Sequence, residues 1–133
     1  MGCPVNGPRI ASNDDKLAIS WYTSSPYSSV NVVYSNDAGA TFSDAIRLNE
    51  NESIGRVDVD WLNEKSILTT YMEGDTIKGA IVEKGEVIKR QNLIISSASR
   101  ASGFPQLEVV GGEVVIAWTD IEEKKIKTRL IEL

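Results

Sequence analysis

The chain has 133 residues and a mass of 14.6 kDa, with 14 Lys+Arg against 19 Asp+Glu, no His and a single Cys. Without imidazole there is no Ser-His-Asp triad, histidine-ligated metal or imidazole pH switch, and one thiol excludes an internal disulfide or a CxxC metal site. A net charge of −5 argues against nucleic acid as the main partner, because phosphate binding needs Lys/Arg clusters that outnumber local acids.

The N-terminal run Met1-Gly2-Cys3-Pro4-Val5 has no charged segment followed by an apolar one, and no window approaches ~18 apolar residues. Neither a signal peptide nor a membrane span is expected, and the reading by default is a soluble chain of the cytoplasm. The size suits one domain over residues 1–133. Cys3 has no neighbour that would activate its thiol.

A repeat organises the rest. Gly7-Pro8-Arg9, Gly55-Arg56 and Gly103-Phe104-Pro105 stand at a constant interval of 48 residues, a period typical of propellers, solenoids and arrays. The units run over about 7–54, 55–101 and 102–133. In each, a short alternating run leads to a turn and then to a stronger run ending on an aromatic: Lys16 to Tyr22, Ser66 to Tyr71, Val114 to Trp118. One face of these strands carries Leu17, Ile19 and Trp21, matched by Ile67, Thr69 and Tyr71 and by Val114, Ile116 and Trp118. The other carries Ala18 and Ser20, Leu68 and Thr70, Val115 and Ala117. Both faces are apolar or small, which predicts strands covered on both sides.

A third run follows in every unit, Val30 to Ser35, Thr76 to Val82 and Lys125 to Ile131. A fourth follows in two, Ala45 to Leu48 and Glu86 to Ile95, each after a Gly-bearing turn. The expected fold is all-β, with 11 strands in three four-stranded antiparallel units, the last incomplete, stacked as propeller blades. A β-sandwich of regularly spaced short strands is the alternative. The aromatics Trp21, Tyr71 and Trp118 are expected in the packing between units, and Trp61, which breaks the pattern of the first strands, is expected to be exposed or at an interface. Apolar faces left bare on the first and last units predict association.

The segment Ser35-Asn36-Asp37-Ala38-Gly39-Ala40-Thr41-Phe42 resembles the Asp-box, or BNR repeat, of sialidases and related propellers. In such a turn Asp37 accepts backbone N–H groups, Gly39 supplies a positive φ, and Phe42 anchors the turn, so Ser35, Asp37, Gly39, Thr41 and Phe42 have structural roles. Glu83-Lys84-Gly85 stands in its place in the second unit. The runs Gly2 to Pro8, Trp21-Tyr22-Thr23, Gly55 to Val59 and Ser102 to Asp120 resemble the C-terminal half of bacterial exo-sialidase-like proteins. That resemblance implies half of a six-bladed sialidase-type propeller, and a homodimer would complete the ring.

Propeller geometry puts the loops between second and third strands and the connections between units on one face. There lie Arg9, Arg56 and Arg100, with Tyr27, Glu73, Asp75, Asp120 and Glu122. Asp58 and Asp60 alternate with Val57 and Val59 on a channel-lining strand, where carboxylates need solvent or a match with Arg56. The resemblance implies an arginine triad for a substrate carboxylate, a Tyr nucleophile paired with Glu, and an Asp acid/base. The Phe/Tyr-Arg-Ile-Pro element is absent here, and no Tyr stands in a nucleophile motif, so no catalytic residue is assigned. The candidates for ligand binding are Arg9, Arg56, Asp58, Glu73 and Asp120, for an acidic glycan. No metal or cofactor is expected, since the acidic stretches lack the spacing of a calcium loop. The expected function is a sialidase- or glycosidase-related segment, catalytically incomplete as an isolated chain. The alternative is a non-catalytic module for protein interaction or assembly.

Overall fold

A computed structural model describes residues 7–133, so Cys3 and the Gly2 to Asn6 part of the first motif lie outside the described residues. The described residues are all-β, with three antiparallel sheets of four, four and three strands, none of them closed. The first sheet is β1 (Arg9–Asn13), β2 (Lys16–Thr23), β3 (Ser29–Ser35) and β4 (Ile46–Arg47), paired in chain order. The second is β5 (Gly55–Trp61), β6 (Ser66–Glu73), β7 (Thr76–Glu83) and β8 (Glu86–Ile95). The third is β9 (Gln106–Val110), β10 (Glu113–Asp120) and β11 (Lys125–Ile131), preceded by a 3-10 turn over Arg100–Ser102. The 11 strands fall where period-2 alternation and turn residues put them, and β2, β6 and β10 are each eight residues long.

The sheets stack face to face, with β5 touching β1 on one side and β9 on the other. Between the first and second sheets, Ala18, Val30, Val32 and Leu48 meet Val59, Trp61, Ile67 and Tyr71. Between the second and third, Leu68, Met72, Ile77 and Ile94 meet Leu107, Val114, Ile116 and Trp118. The middle sheet is therefore covered on both faces, and β6 is buried along nearly its whole length. Among the described residues each end sheet is covered on one face only. Leu17, Ile19 and Trp21 stay half-buried on the outer side of the first sheet, as do Val115 and Ala117 on the outer side of the third. Expected coverage on both sides thus holds within this chain for the middle sheet alone.

Trp61 corrects its expectation. Only 7% of it is exposed, because its ring fills the seam between the first two sheets and its Nε1 donates to the Ala11 carbonyl at 3.4 Å. Among the described residues no helix is long and apolar enough to cross a membrane.

Candidate functional site

The first strand of the second sheet, β5, enters through a bulge. Gly55 and Arg56 carry φ values of 78° and 55°, and pairing with β6 shifts between Gly55 and Asp58. This left-handed turn sends the Arg56 guanidinium into the loop ahead of β9. Its Nη1 donates to Ser102 Oγ at 2.7 Å and Ser97 O at 3.4 Å; its Nη2 donates to Ala98 O and Ser99 O, both at 3.1 Å. Arg56 is buried, and desolvation lowers its pKa. The fork ties the second sheet to the 97–102 loop, its donors taken up by three carbonyls and the Ser102 hydroxyl.

Asp58 and Asp60 solve a different problem. β5 and β9 are first strands, hydrogen-bonded to one neighbour each, so their inner edges present unpaired N–H groups. Asp58 accepts from Val59 N with Oδ1 at 2.9 Å and from Leu107 N with Oδ2 at 2.7 Å. Asp60 repeats the arrangement with Trp61 N at 2.8 Å and Val109 N at 2.8 Å. Each carboxylate therefore bridges one backbone donor from each of two adjacent sheets. The positive partner of Asp58 is Arg9 Nε at 3.3 Å, not the expected Arg56, and Asp58 is buried.

Arg9 remains 43% exposed, and its Nη2 reaches across to Gln106 Oε1 at 3.1 Å. It therefore spans the inner strands of all three sheets. Glu73 closes the 50–51 loop, accepting from Glu50 N and Asn51 N at 3.3 Å and from Asn51 Nδ2 at 3.2 Å, with Lys78 Nζ at 2.7 Å. Burial pushes its pKa up, but Lys78 and the Asn51 donors outweigh this and hold it below the ordinary value. Asp120 accepts from Glu122 N and Glu123 N at 3.0 and 2.9 Å and pairs with Lys127 Nζ at 2.8 Å. The Glu123 N–H, the Lys127 ammonium and the Glu122 N–H hold its carboxyl below the usual range. It borders a cleft of about 370 Å³ with Ile95, Ser96, Ser97, Trp118 and Glu122.

The structure brings Arg9 and Asp58 together, sets Glu73 at the 50–51 loop, and places Arg56 and Asp120 on either side of Ser97, an acceptor of Arg56 that also lines the cleft beside Asp120. Tyr71 lies nearer to carboxylates than any sequence motif indicated, but its phenol is pushed up to about 12, by burial first and then by Glu73. Its hydroxyl donates to Leu48 O at 3.3 Å, so it stays protonated at neutral pH and is no ready nucleophile. Among the described residues no group of three or more His, Cys, Asp or Glu side chains could hold a metal ion. Tyr27, 62% exposed, stacks under Arg47 with the guanidinium carbon 5.2 Å from the ring centre.

The Ser35 to Phe42 turn is held by its own side chains and by Ala38 N, which donates to Asp15 O at 2.7 Å. Ser35 Oγ donates to Asp37 Oδ1 at 2.7 Å and accepts from Gly39 N at 2.9 Å. Asp37 accepts from Thr41 N at 2.8 Å and from Thr41 Oγ1 at 2.5 Å. Gly39 has φ 90°, and a Cβ there would stand 3.2 Å from Leu17 Cδ1. Phe42 is 44% exposed, so it covers the turn from outside rather than plugging into the core. A scan of the chain against protein-family models finds no match, and a search of curated proteins finds none either.

Proposed function

We propose that the three sheets are consecutive blades of a β-propeller and that this chain is a non-catalytic assembly module. The observation that carries it is the occupation of the candidate side chains. Arg56, Asp58, Glu73 and Asp120 are each engaged by the chain's own backbone or by a neighbouring side chain. A hydrolase would hold such groups poised towards an open pocket, whereas here they fasten loops and strand edges. The blade reading is supported by the stacking of the first strands, β1 on β5 and β5 on β9, with successive strands moving outwards in each sheet.

A second reading, an acidic-glycan site related to that of sialidases, draws on Arg9. Its guanidinium is half-exposed at the inner strands, where a carboxylate could replace Gln106 as partner. The test is titration with sialic acid and other acidic sugars, together with a sialoside hydrolysis assay, on the wild type and Arg9→Ala. Neither binding nor turnover is expected from either protein. Saturable binding that Arg9→Ala loses would overturn the assembly-module reading in favour of the glycan site.

A further inference from the structure

The two bare faces have complements inside the same molecule. Aligning the three eight-residue strands, β2, β6 and β10, makes Leu17, Ile67 and Val114 equivalent, and likewise Ala18, Leu68 and Val115. In the second and third sheets the Ile67 and Val114 face packs on the sheet before it. In the first and second sheets the Ala18 and Leu68 face packs on the sheet after it. Leu17, Ile19 and Trp21 therefore form a face built for a preceding sheet, with Ile10 63% exposed beside them. Val115 and Ala117 form one built for a following sheet, alongside Leu130 and Ile126, which are 62% and 66% exposed.

The strand-edge bridges supply an independent observation. Asp60 pairs in register with Leu68, and Glu108 with Val115, so Glu108 occupies the Asp60 position of the third sheet. Gln106, paired with Ala117, likewise occupies the position of Asp58, which pairs with Thr70. Their counterparts in the first sheet are Arg9 and Ala11, paired with Ser20 and Ala18. Side-chain acceptors thus recur in the third sheet, where Gln106 accepts from Arg9 and, among the described residues, no further sheet offers an N–H group to Glu108. By the same register Val109 corresponds to Ser12, because they pair with Val114 and Leu17. Ser12 and Glu108 are both exposed.

We infer that a second copy of this chain covers both faces. The outer face of the first sheet of one protomer seats on the outer face of the third sheet of its partner, and the reverse contact closes the pair about a two-fold axis. In each contact Glu108 accepts from the backbone N–H of Ser12 across the interface, as Asp60 accepts from Val109 within the chain. This names the partner for the assembly-module reading and rests on it. Two such complementary ends can cover each other by closed pairing or by open-ended stacking, and closure leaves neither of the two faces bare.

Light scattering on the eluting peak of a sizing column should give twice 14.6 kDa for the wild type. Trp21→Glu and Leu130→Glu, one on each face, should each elute as monomers with unchanged circular dichroism. Mixing the two should restore pairing in part, because one intact face of each variant can still meet the other. Should either variant misfold, Ser12→Cys and Glu108→Cys in a Cys3→Ser background provide a second readout. The mixture should form a disulfide-linked pair under mild oxidation at least tenfold faster than either variant alone. A wild-type monomer, open-ended polymers, or pairing that Trp21→Glu abolishes and mixing cannot rescue would overturn the inference. A monomer that binds no glycan leaves the assembly-module reading standing, whereas a pair that binds glycan through Arg9 overturns that reading and leaves this pairing intact.

Discussion

Asp37 sets the shape of its turn because an ionised carboxylate accepts several donors at once, and three of them come from Thr41 and Ser35. The Thr41 hydroxyl, its backbone N–H and the Ser35 hydroxyl hold the carboxyl down to about 2, against 3.8 for the free group. A pKa depressed in the folded state means stability that is present above 3.8 and lost as the pH falls through about 2. Asp37→Asn, which cannot ionise, should be less stable than wild type at neutral pH. Urea unfolding followed between pH 6 and pH 2 should show the difference shrinking below pH 4. A constant difference across that window would mean that the carboxylate charge contributes nothing to the turn. Arg56 works by a contrary logic, since its fork is buried and donates to carbonyl and hydroxyl oxygens of the 97–102 loop. In the sequence such a residue reads as a channel-lining cation matched with neighbouring acids. Only the bulge at Gly55 reveals that it points into the 97–102 loop.

At the scale of the element, the inner edges of β5 and β9 pose the problem that any sheet edge poses, a row of donors with no strand to receive them. Asp58 and Asp60 answer it by lying one turn of the pleat apart on the same face, which aims both carboxylates at the adjacent sheet. Removing Asp60 leaves the N–H groups of Trp61 and Val109 without their acceptor. At about 1–3 kcal/mol for each buried donor left unsatisfied, Asp60→Ala should lose on the order of 2–4 kcal/mol, part of it recovered by water at this half-buried position. Asp60→Asn keeps one acceptor oxygen and should lose less, and chemical denaturation of the two variants measures both values. Equal stability of Asp60→Ala and wild type would show that water serves the two edges as well as the carboxylate does. The alternation of Asp58 and Asp60 with Val57 and Val59 is visible in the sequence, as is the place of β5 as the first strand of its unit. Its purpose is not, because it depends on β9 lying alongside, 49 residues further on. Glu73 was equally opaque, since its loop partners at 50–51 are brought to it by stacking of the first two sheets. Trp61 misled for the same reason: a large aromatic at a strand end looks exposed until the neighbouring sheet is in place.

The molecule as a whole was more legible than its site, because a constant interval between glycines and period-2 alternation are local signals that stacking reinforces. Leu17, Ile19 and Trp21 could be matched to Ile67, Thr69 and Tyr71 from spacing alone, and the sheets set these rows at equivalent positions. Yet equivalence in position is not equivalence in burial. Tyr71 is 1% exposed while Trp21 is only half-buried, a difference made by the presence or absence of one neighbouring sheet. If a second copy supplies that sheet, folding and association share a free energy, and heat stability depends on protein concentration. For a pair of chains of this size, each tenfold rise in concentration adds about 1.4 kcal/mol per pair, a rise in Tm of about 2–3 °C. Calorimetry over a hundredfold concentration range should therefore show an upward drift of about 5 °C for the wild type. Trp21→Glu should show none, because a monomer that stays single melts at a temperature independent of its concentration. A concentration-independent Tm in the wild type would mean that the apolar end faces are tolerated in water, and that burial of one face per end sheet suffices to hold the fold.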